Sequence, residues 1–466
     1  MESGLARLGI RLHPYRSRAT RNASFSRRRN MSELPQERYP TLPTQPFRLD
    51  VPLHAILKDP ALQPKARPVA QLECLPEPEF PQHPELHHEI DAADIAAHDE
   101  VVRTGRRRWG TAKILHTMNG WMFPYFKSRI RRGDFQPIIA YLFAEWKCNL
   151  DCHYCWSYDN RVKGMSEETA RRAIDWLYDT PCRVLAPTGG EPLLRPDFVH
   201  KVVYYAAKKG FWIYLATNGR LLRPEVTDRL ADAGISTFNF AVDCVEEKPG
   251  LPKALNRVRS YFDYLVKLQY RYGYTVFFNT NICRTNLDDV RQLTEIAHDN
   301  GIAITYHINE APMLEQKHFR HLAENDTYIR PEDFSRVDEL LDWLSEKNRS
   351  GYKMVDSIAR LRQMKGFMRG RGEHWGCRAG QNWLIIRTDG TLAPCFPMYN
   401  ATYDWGTFSH HRFEVKQLNK MKQSCELHCF STLGANLAYC YSGTRVLKWL
   451  AKQALNGFQG TTGSFE

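Results

Sequence analysis

The chain has 466 residues, 43% hydrophobic and 25% charged, which are ordinary proportions for a globular protein with room for two or three domains. No stretch approaches 18 uninterrupted apolar residues and the N-terminus lacks an apolar signal core, so neither a membrane span nor export is expected. The net charge is +12, and most of the twelve cysteines fall in two segments, a pattern of metal ligands in a reducing cytoplasm, not of a disulfide framework.

The charge is uneven from the start. Residues 3–30 carry eight arginines, Arg7 to Arg29, and no acid. The composition of 1–30 is that of an organellar transit peptide, or Met31 is the true first residue; disorder is expected either way. Residues 31–135 form the next unit. To about residue 100 they are proline-rich, as in Leu75-Pro-Glu-Pro-Glu-Phe-Pro81, and read as an irregular arm. From Val101 to Gly133, Arg103, Arg106–Arg108, Lys113, Lys127, Arg129, Arg131 and Arg132 interleave with Trp109, Trp121, Phe123, Tyr125 and Phe126, with no carboxylate between them. Such a segment suits an anionic partner, although a solvated helical face packing its aromatics on the core is the simpler reading.

Strands are expected at Ile138–Trp146, Arg183–Pro187, Trp212–Thr217, Thr237–Val242, Thr275–Ile282 and Ala303–Ile308. Helices are expected between them at Glu167–Tyr178, Asp197–Lys209, Pro224–Ala233, Ala254–Tyr270 and Leu287–Asn300. Ser166 is placed to cap the first, with Glu167 and Glu168 against its dipole. Six strands alternating with helices of this length predict an α/β fold, a partial (β/α)6 TIM-like barrel over residues 136–312. Chemistry in such a barrel gathers where the βα loops leave the strands.

The first of those loops carries Cys148-Asn-Leu-Asp-Cys152-His-Tyr-Cys155, a CxxxCxxC pattern. Three thiolates on one loop suit three irons of a cubane cluster and leave the fourth open to a ligand. Zinc or redox thiols are the alternative, but a structural zinc site wants four ligands, and His153 is crowded by its neighbours. Downstream, Pro331–Lys347 and Met354–Met368 read as helices within a connector, 313–372. Residues 373–443 then hold Cys377, a strand-like Trp383–Arg387, a turn at Asp389-Gly390, Cys395, Cys425, Cys429 and Cys440. The tail, 444–466, reads as a cationic amphipathic helix from Thr444 to Phe458 that caps the cysteine-rich region before it or lies at a membrane surface.

The cysteine loop resembles that of the radical SAM superfamily, in which the open iron chelates S-adenosylmethionine. Tyr154 before the last cysteine fits that resemblance. Thr188-Gly189-Gly190-Glu191-Pro192 after the second strand is similar to the family's GGEP element, which engages the amino group of S-adenosylmethionine. Thr217-Asn218-Gly219 resembles its TNG turn, and Asp243 and Asn281 fall where the family places polar residues of the cofactor pocket. The spacing Cys377, twelve residues, Gly390, four residues, Cys395 matches the opening half of the SPASM/twitch auxiliary-cluster motif. The CxxC of a full motif is absent, so the C-terminal region is expected to be a small cysteine-rich auxiliary-cluster domain with one 4Fe-4S cluster. Its expected ligands are Cys377, Cys395, Cys429 and either Cys425 or Cys440; His428 is an outside candidate, and zinc remains the alternative. Cys244 and Cys283 read as core thiols.

The resemblance implies two 4Fe-4S clusters, reductive cleavage of S-adenosylmethionine to a 5′-deoxyadenosyl radical, and hydrogen abstraction from an unactivated carbon. It also implies a flavodoxin- or ferredoxin-type reductant. The basic segments point to a small-molecule or lipid-type metabolite, with a ribosomally made peptide as the other substrate class. A non-enzymatic zinc or cluster scaffold is the third reading. The expected location is cytoplasmic, with peripheral membrane contact open and nucleic acid not the expected partner.

Overall fold

The computed structural model describes residues 90–104, 110–131, 135–155, 158, 160, 162–308, 326–396 and 405–456. The chain divides into Met1–Thr41 and Leu42–Glu466, and the first unit lies wholly outside the described residues. So do the expectations for residues 1–30, most of the proline-rich arm, Arg106–Trp109, Arg132 and the start of the connector.

Six strands follow one another in space as in sequence: β1 (Ile139–Glu145), β2 (Val184–Gly189), β3 (Trp212–Thr217), β4 (Thr237–Ala241), β5 (Thr275–Ile282) and β6 (Ala303–Ile308). All five neighbouring pairs are parallel, as right-handed βα crossovers require. This is the partial (β/α)6 barrel that the alternation predicts. Among helices, α1 (Ala92–Thr104), α2 (Thr111–Thr117) and α3 (Phe123–Ile130) precede β1. Between the strands lie α4 (Glu167–Tyr178), α5 (Pro196–Lys208), α6 (Pro224–Asp232), α7 (Arg259–Tyr272) and α8 (Leu287–Asp299). Ser166 caps α4 by accepting from the Thr169 amide at 3.0 Å.

After β6 come α9 (Phe334–Arg349) and α10 (Ile358–Met368), then β7 (Trp383–Ile386) and β8 (Leu392–Ala393). The chain continues through α11 (Val415–Cys425), α12 (Thr432–Tyr441) and α13 (Arg445–Asn456).

The sheet has two faces. Ala140, Leu142 and Ala144 of β1 pack toward the surrounding helices, whereas Ile139, Tyr141 and Phe143 meet Trp383, Ile385 and Leu437. That second face is the barrel interior, and successive side chains alternate between the two.

Two departures from the expected organisation stand out. The arm is not irregular to residue 100, because α1 begins at Ala92 and packs on α7, where Lys267 pairs with Asp99 at 3.3 Å and Arg271 with Asp94 at 3.7 Å. Nor is the cysteine-rich region's strand a separate ribbon: β7 pairs parallel with β1, from Ile139–Trp383 to Leu142–Ile386, and makes one eight-stranded sheet. Without β7, the backbone edge of β1 would be unpaired. The tail helix α13 buries Val446 and rests Trp449 and Leu450 against Met122 and Tyr125 of the basic aromatic segment, beside Cys440 and Tyr441, while Leu447 and Leu455 face outward.

Candidate active site

The C-terminal ends of the strands carry the motifs. The register of β1 on β2 slips between Phe143 and Glu145, so β1 leaves the sheet in a bulge and enters the cysteine loop. Gly189 and Gly190 fill the space beneath it. A Cβ on Gly189, whose φ is +146°, would stand 1.7 Å from the Glu145 carbonyl oxygen, and one on Gly190 would stand 2.2 Å from that of Lys147. Both amides close the contact: Gly190 N donates to Glu145 O at 2.9 Å and Glu191 N to Lys147 O at 2.8 Å. The two glycines thus let the second βα loop press against the root of the cysteine loop.

Glu191 is turned inward. Its Oε1 accepts from Leu193 N at 2.9 Å and Thr217 Oγ1 at 2.8 Å, and its Oε2 accepts from Asn218 N at 2.8 Å. The carboxylate ties the second βα loop to the third, so its first task is internal, beyond the ammonium contact that its charge alone suggests. Asn218 completes the ring by donating from Nδ2 to Asn149 Oδ1 at 2.6 Å, inside the cysteine loop.

Across the loop, Tyr154 Oη donates to Asp243 Oδ2 at 2.5 Å and accepts from Lys253 Nζ at 2.8 Å. Asp243 Oδ1 accepts from the Asn281 amide at 2.8 Å. Asn281 Nδ2 reaches the Cys283 thiol at 3.3 Å, so Cys283 and its buried neighbour Cys244 sit in the supporting core. Desolvation raises the Asp243 pKa, and Lys253, Tyr154 and the Asn281 amide oppose that rise. Burial likewise disfavours charge on Lys253, but Cys152 and Asp243, with Cys155 and Cys148, hold its pKa above the ordinary value. His153 Nδ1 lies 2.7 Å from Asp326 Oδ1.

Burial, with Glu191 and Cys155, pushes the Cys148 thiol up to about 12, and burial raises Cys152 as well. Thiols desolvated in this way ionise when a metal cation supplies the missing charge. The donor set therefore fits an iron–sulfur cluster: three thiols on one short loop, one cation at their edge, and a hydrogen-bonded ring behind them.

The second cysteine group is brought together by the fold. Cys377, Cys395, Cys425 and Cys429 line one cavity with Trp375, Trp383 and Lys422. Cys440 is not there. It sits on α12, in the cluster of Met118, Trp121 and Tyr441 beneath α13, and its carbonyl accepts from Tyr125 Oη at 2.7 Å. Of the two cysteines left open by spacing, Cys425 lines this cavity and Cys440 does not. Backbone amides point at two of the sulfurs, Ala379 N to Cys377 Sγ and Ser431 N to Cys429 Sγ, each at 3.4 Å, the hydrogen bonding that tunes cluster sulfurs. Lys422 Nζ is buried in this cavity and has no hydrogen-bond partner among the described residues. A buried ammonium beside four thiols fits a bound group of net negative charge, as a tetrathiolate centre is. No three such side chains among the described residues converge tightly enough to hold a single metal ion.

Sequence reasoning passed over Lys253, His307 and Glu426. Glu426 is 6% exposed and holds the approach to Cys377: its Oε1 accepts from Cys377 N at 2.6 Å and its Oε2 from Trp375 N at 3.2 Å. An acid inside a CxxxC run was the available signal. His307, opposite Asn281 in the register of β5 and β6, has its pKa lowered to about 3 by burial and by Arg360 and Lys253. Nothing in the local sequence marks either His307 or Lys253.

Comparison with known proteins agrees with this geometry. Residues 147–324 match the family model of the radical SAM superfamily. Residues 147–324 thus carry a radical SAM domain, and members of that superfamily are enzymes that use a 4Fe-4S cluster and S-adenosylmethionine. It is 24% identical over 271 residues to an AdoMet-dependent heme synthase of Methanosarcina barkeri, covering 53% of this chain and 73% of that protein. It is 27% identical over 239 residues to an S-adenosylmethionine-dependent nucleotide dehydratase of Selenomonas ruminantium, covering 46% of this chain and 87% of that one. A solved structure of Streptococcus suis SuiB bound to S-adenosylmethionine overlays with a TM-score of 0.49 at 12% identity, covering 79% of this chain and 87% of that one.

Proposed function

We propose that this enzyme reductively cleaves S-adenosylmethionine and directs the 5′-deoxyadenosyl radical to an unactivated carbon of a small-molecule or lipid-type metabolite. The observation that carries the reading is the placement of Cys148, Cys152 and Cys155 at the mouth of β1, with the Gly189–Glu191 loop hydrogen-bonded beneath them. The cluster, when bound, supplies the electron for cleavage. The chain's own groups hold and enclose. The three thiolates would hold three irons of the cluster, Asn218 and Glu191 stiffen the loop, and Tyr154, Asp243, Asn281 and Lys253 set a polar network on its far side. Aromatic residues on the inner face of β1 and β7, Tyr141, Phe143 and Trp383, stack with Phe396 and keep water from that side.

An auxiliary 4Fe-4S cluster on Cys377, Cys395, Cys425 and Cys429, as in a twitch-like domain, would accept or relay an electron. The electron donor would be a flavodoxin- or ferredoxin-type reductant. Two relatives named for heme synthesis and nucleotide dehydration support a small-molecule substrate over a peptide. No helix among the described residues is long and apolar enough to cross a membrane. Peripheral contact would fall to the outward Leu447 and Leu455 of α13 and to Phe123 and Ile130 of α3.

Anaerobic reconstitution followed by iron and sulfide analysis and assay of 5′-deoxyadenosine with dithionite tests the reading. About eight irons per chain and deoxyadenosine formed from S-adenosylmethionine are expected. Cys148→Ala, Cys152→Ala and Cys155→Ala should each abolish deoxyadenosine formation while about four irons remain. Zinc in place of iron, with no deoxyadenosine, would overturn it.

A further inference from the structure

A cavity of about 760 Å³ opens between α10, the approach to Cys377 and α12. Its volume falls in the range of small-ligand sites. Arg129, Arg360, Arg378, Arg445 and His374 line it, and no carboxylate does among the described lining residues. The N-terminus of α10, capped by Ser357, opens onto the same space and adds a positive dipole to it. Asp356, within electrostatic reach of Arg360, is the counter-charge nearest in sequence, and it is committed to the Tyr306 amide at 2.7 Å and the Thr305 hydroxyl at 3.0 Å.

The guanidinium groups are held in place by the fold. Arg360 lies over the Phe430 ring at 3.2 Å, Arg445 over Tyr439 at 3.7 Å and Arg378 over Tyr441 at 4.3 Å. Arg129 is anchored through the carbonyl of Tyr441. Stacking fixes the plane of each guanidinium, and Arg360 is further held by its bond to the Phe430 carbonyl at 3.1 Å; cations oriented in this way suit directed recognition of an oxyanion. Four cations gathered in one concave space raise the local concentration of anions.

The cavity adjoins the second cysteine group, because Trp375 lines both this space and the cavity of Cys377, Cys395, Cys425 and Cys429. On the other side, Asp356, between the lining residues Val355 and Ser357, accepts from the Tyr306 amide of β6; the next residue, His307, is in register with Asn281, whose amide donates to Asp243. We propose that this cavity binds the oxyanion groups, carboxylate or phosphate, of the organic substrate, and so places its carbon skeleton between the radical site and the second cysteine group. The proposal rests on the radical SAM reading for the word substrate; the anion site itself does not.

Isothermal titration calorimetry on the anaerobically reconstituted full chain, with citrate and separately with inorganic pyrophosphate, tests it. Saturable binding of at least one probe near one per chain is expected. Arg445→Gln and Arg378→Gln should each weaken that binding tenfold or more, and so should Asn436→Asp, which places a carboxylate in the lining. Lys209→Gln, in a separate cavity lined by Lys127 and Arg183, should leave it unchanged. Binding of citrate alone would indicate a carboxylate substrate, and binding of pyrophosphate alone a phosphate. Absence of saturable binding of both probes, or an equal loss in Lys209→Gln, would overturn the proposal. Deoxyadenosine formation by the unsubstituted enzyme is read separately. Its absence would remove the radical reading while calorimetry still decides the cavity.

Discussion

Cys425 and Cys440 are alike in acidity and differ in their surroundings. Both thiols are pushed up to about 12 by burial, so acidity does not distinguish them. Surroundings do. Cys425 ends α11 and faces Cys377, Cys395 and Cys429 across one cavity, whereas the Cys440 thiol contacts its own helix at the Asn436 carbonyl and apolar neighbours under α13. Cys425→Ala should therefore lower the iron content by about four per chain and Cys440→Ala should leave it unchanged. Iron analysis of the two purified variants decides between them, and the reverse result would return Cys440 to the ligand set.

At the scale of elements, the contact between the second βα loop and the root of the cysteine loop admits no side chain. Gly189→Ala forces a Cβ against a backbone carbonyl in a conformation that L-residues avoid, and the carbonyl cannot swing away without breaking the β1–β2 ladder. The expected cost exceeds about 4 kcal/mol, and the soluble yield of the variant checks it. A gentler probe lies at α10. Asp356 is fully buried, and burial raises its pKa from 3.8 to about 6 against the pull of the Tyr306 amide and Arg360. Between those two values the folded chain holds a proton that the unfolded chain has lost. The associated stability is present below about pH 4 and fades as the pH rises through 6. Relative to Asp356→Asn, the native chain should lose on the order of 3 kcal/mol or less across that window. Urea midpoints of both proteins at pH 4.5 and 7 measure it, and parallel pH profiles would contradict it.

For the molecule as a whole, the strand that follows Cys377 is the decisive observation. Because β7 hydrogen-bonds to β1 and Asn382 Nδ2 donates to Gln136 O at 2.8 Å, the cysteine-rich region and the barrel share a sheet and a core. Chemical denaturation should then show a single transition for both, followed by far-ultraviolet circular dichroism and by cluster absorbance together. A separate early loss of the auxiliary absorbance would mean that the cysteine-rich region unfolds on its own. The arginine-lined cavity draws on both parts as well, with Arg129 from α3 and Arg378 and Arg445 from the cysteine-rich region and the tail helix.

Much of this was legible in the chain. The boundaries of β3, β5, β6 and α4 follow from apolar runs, capping residues and turn chemistry, because local backbone preference and burial agree there. The CxxxCxxC loop is a local motif, and its placement after the first strand follows from βα alternation. What local pattern cannot carry is contact between distant segments. That Glu191 faces inward, that Lys253 reaches Tyr154, that β7 closes the edge of β1, and that Cys425 and not Cys440 shares a cavity with Cys377 each depend on residues brought together only when the sheet closes. Spacing names the thiols; the packing of α11 and α12 against β7 decides which four can share a centre.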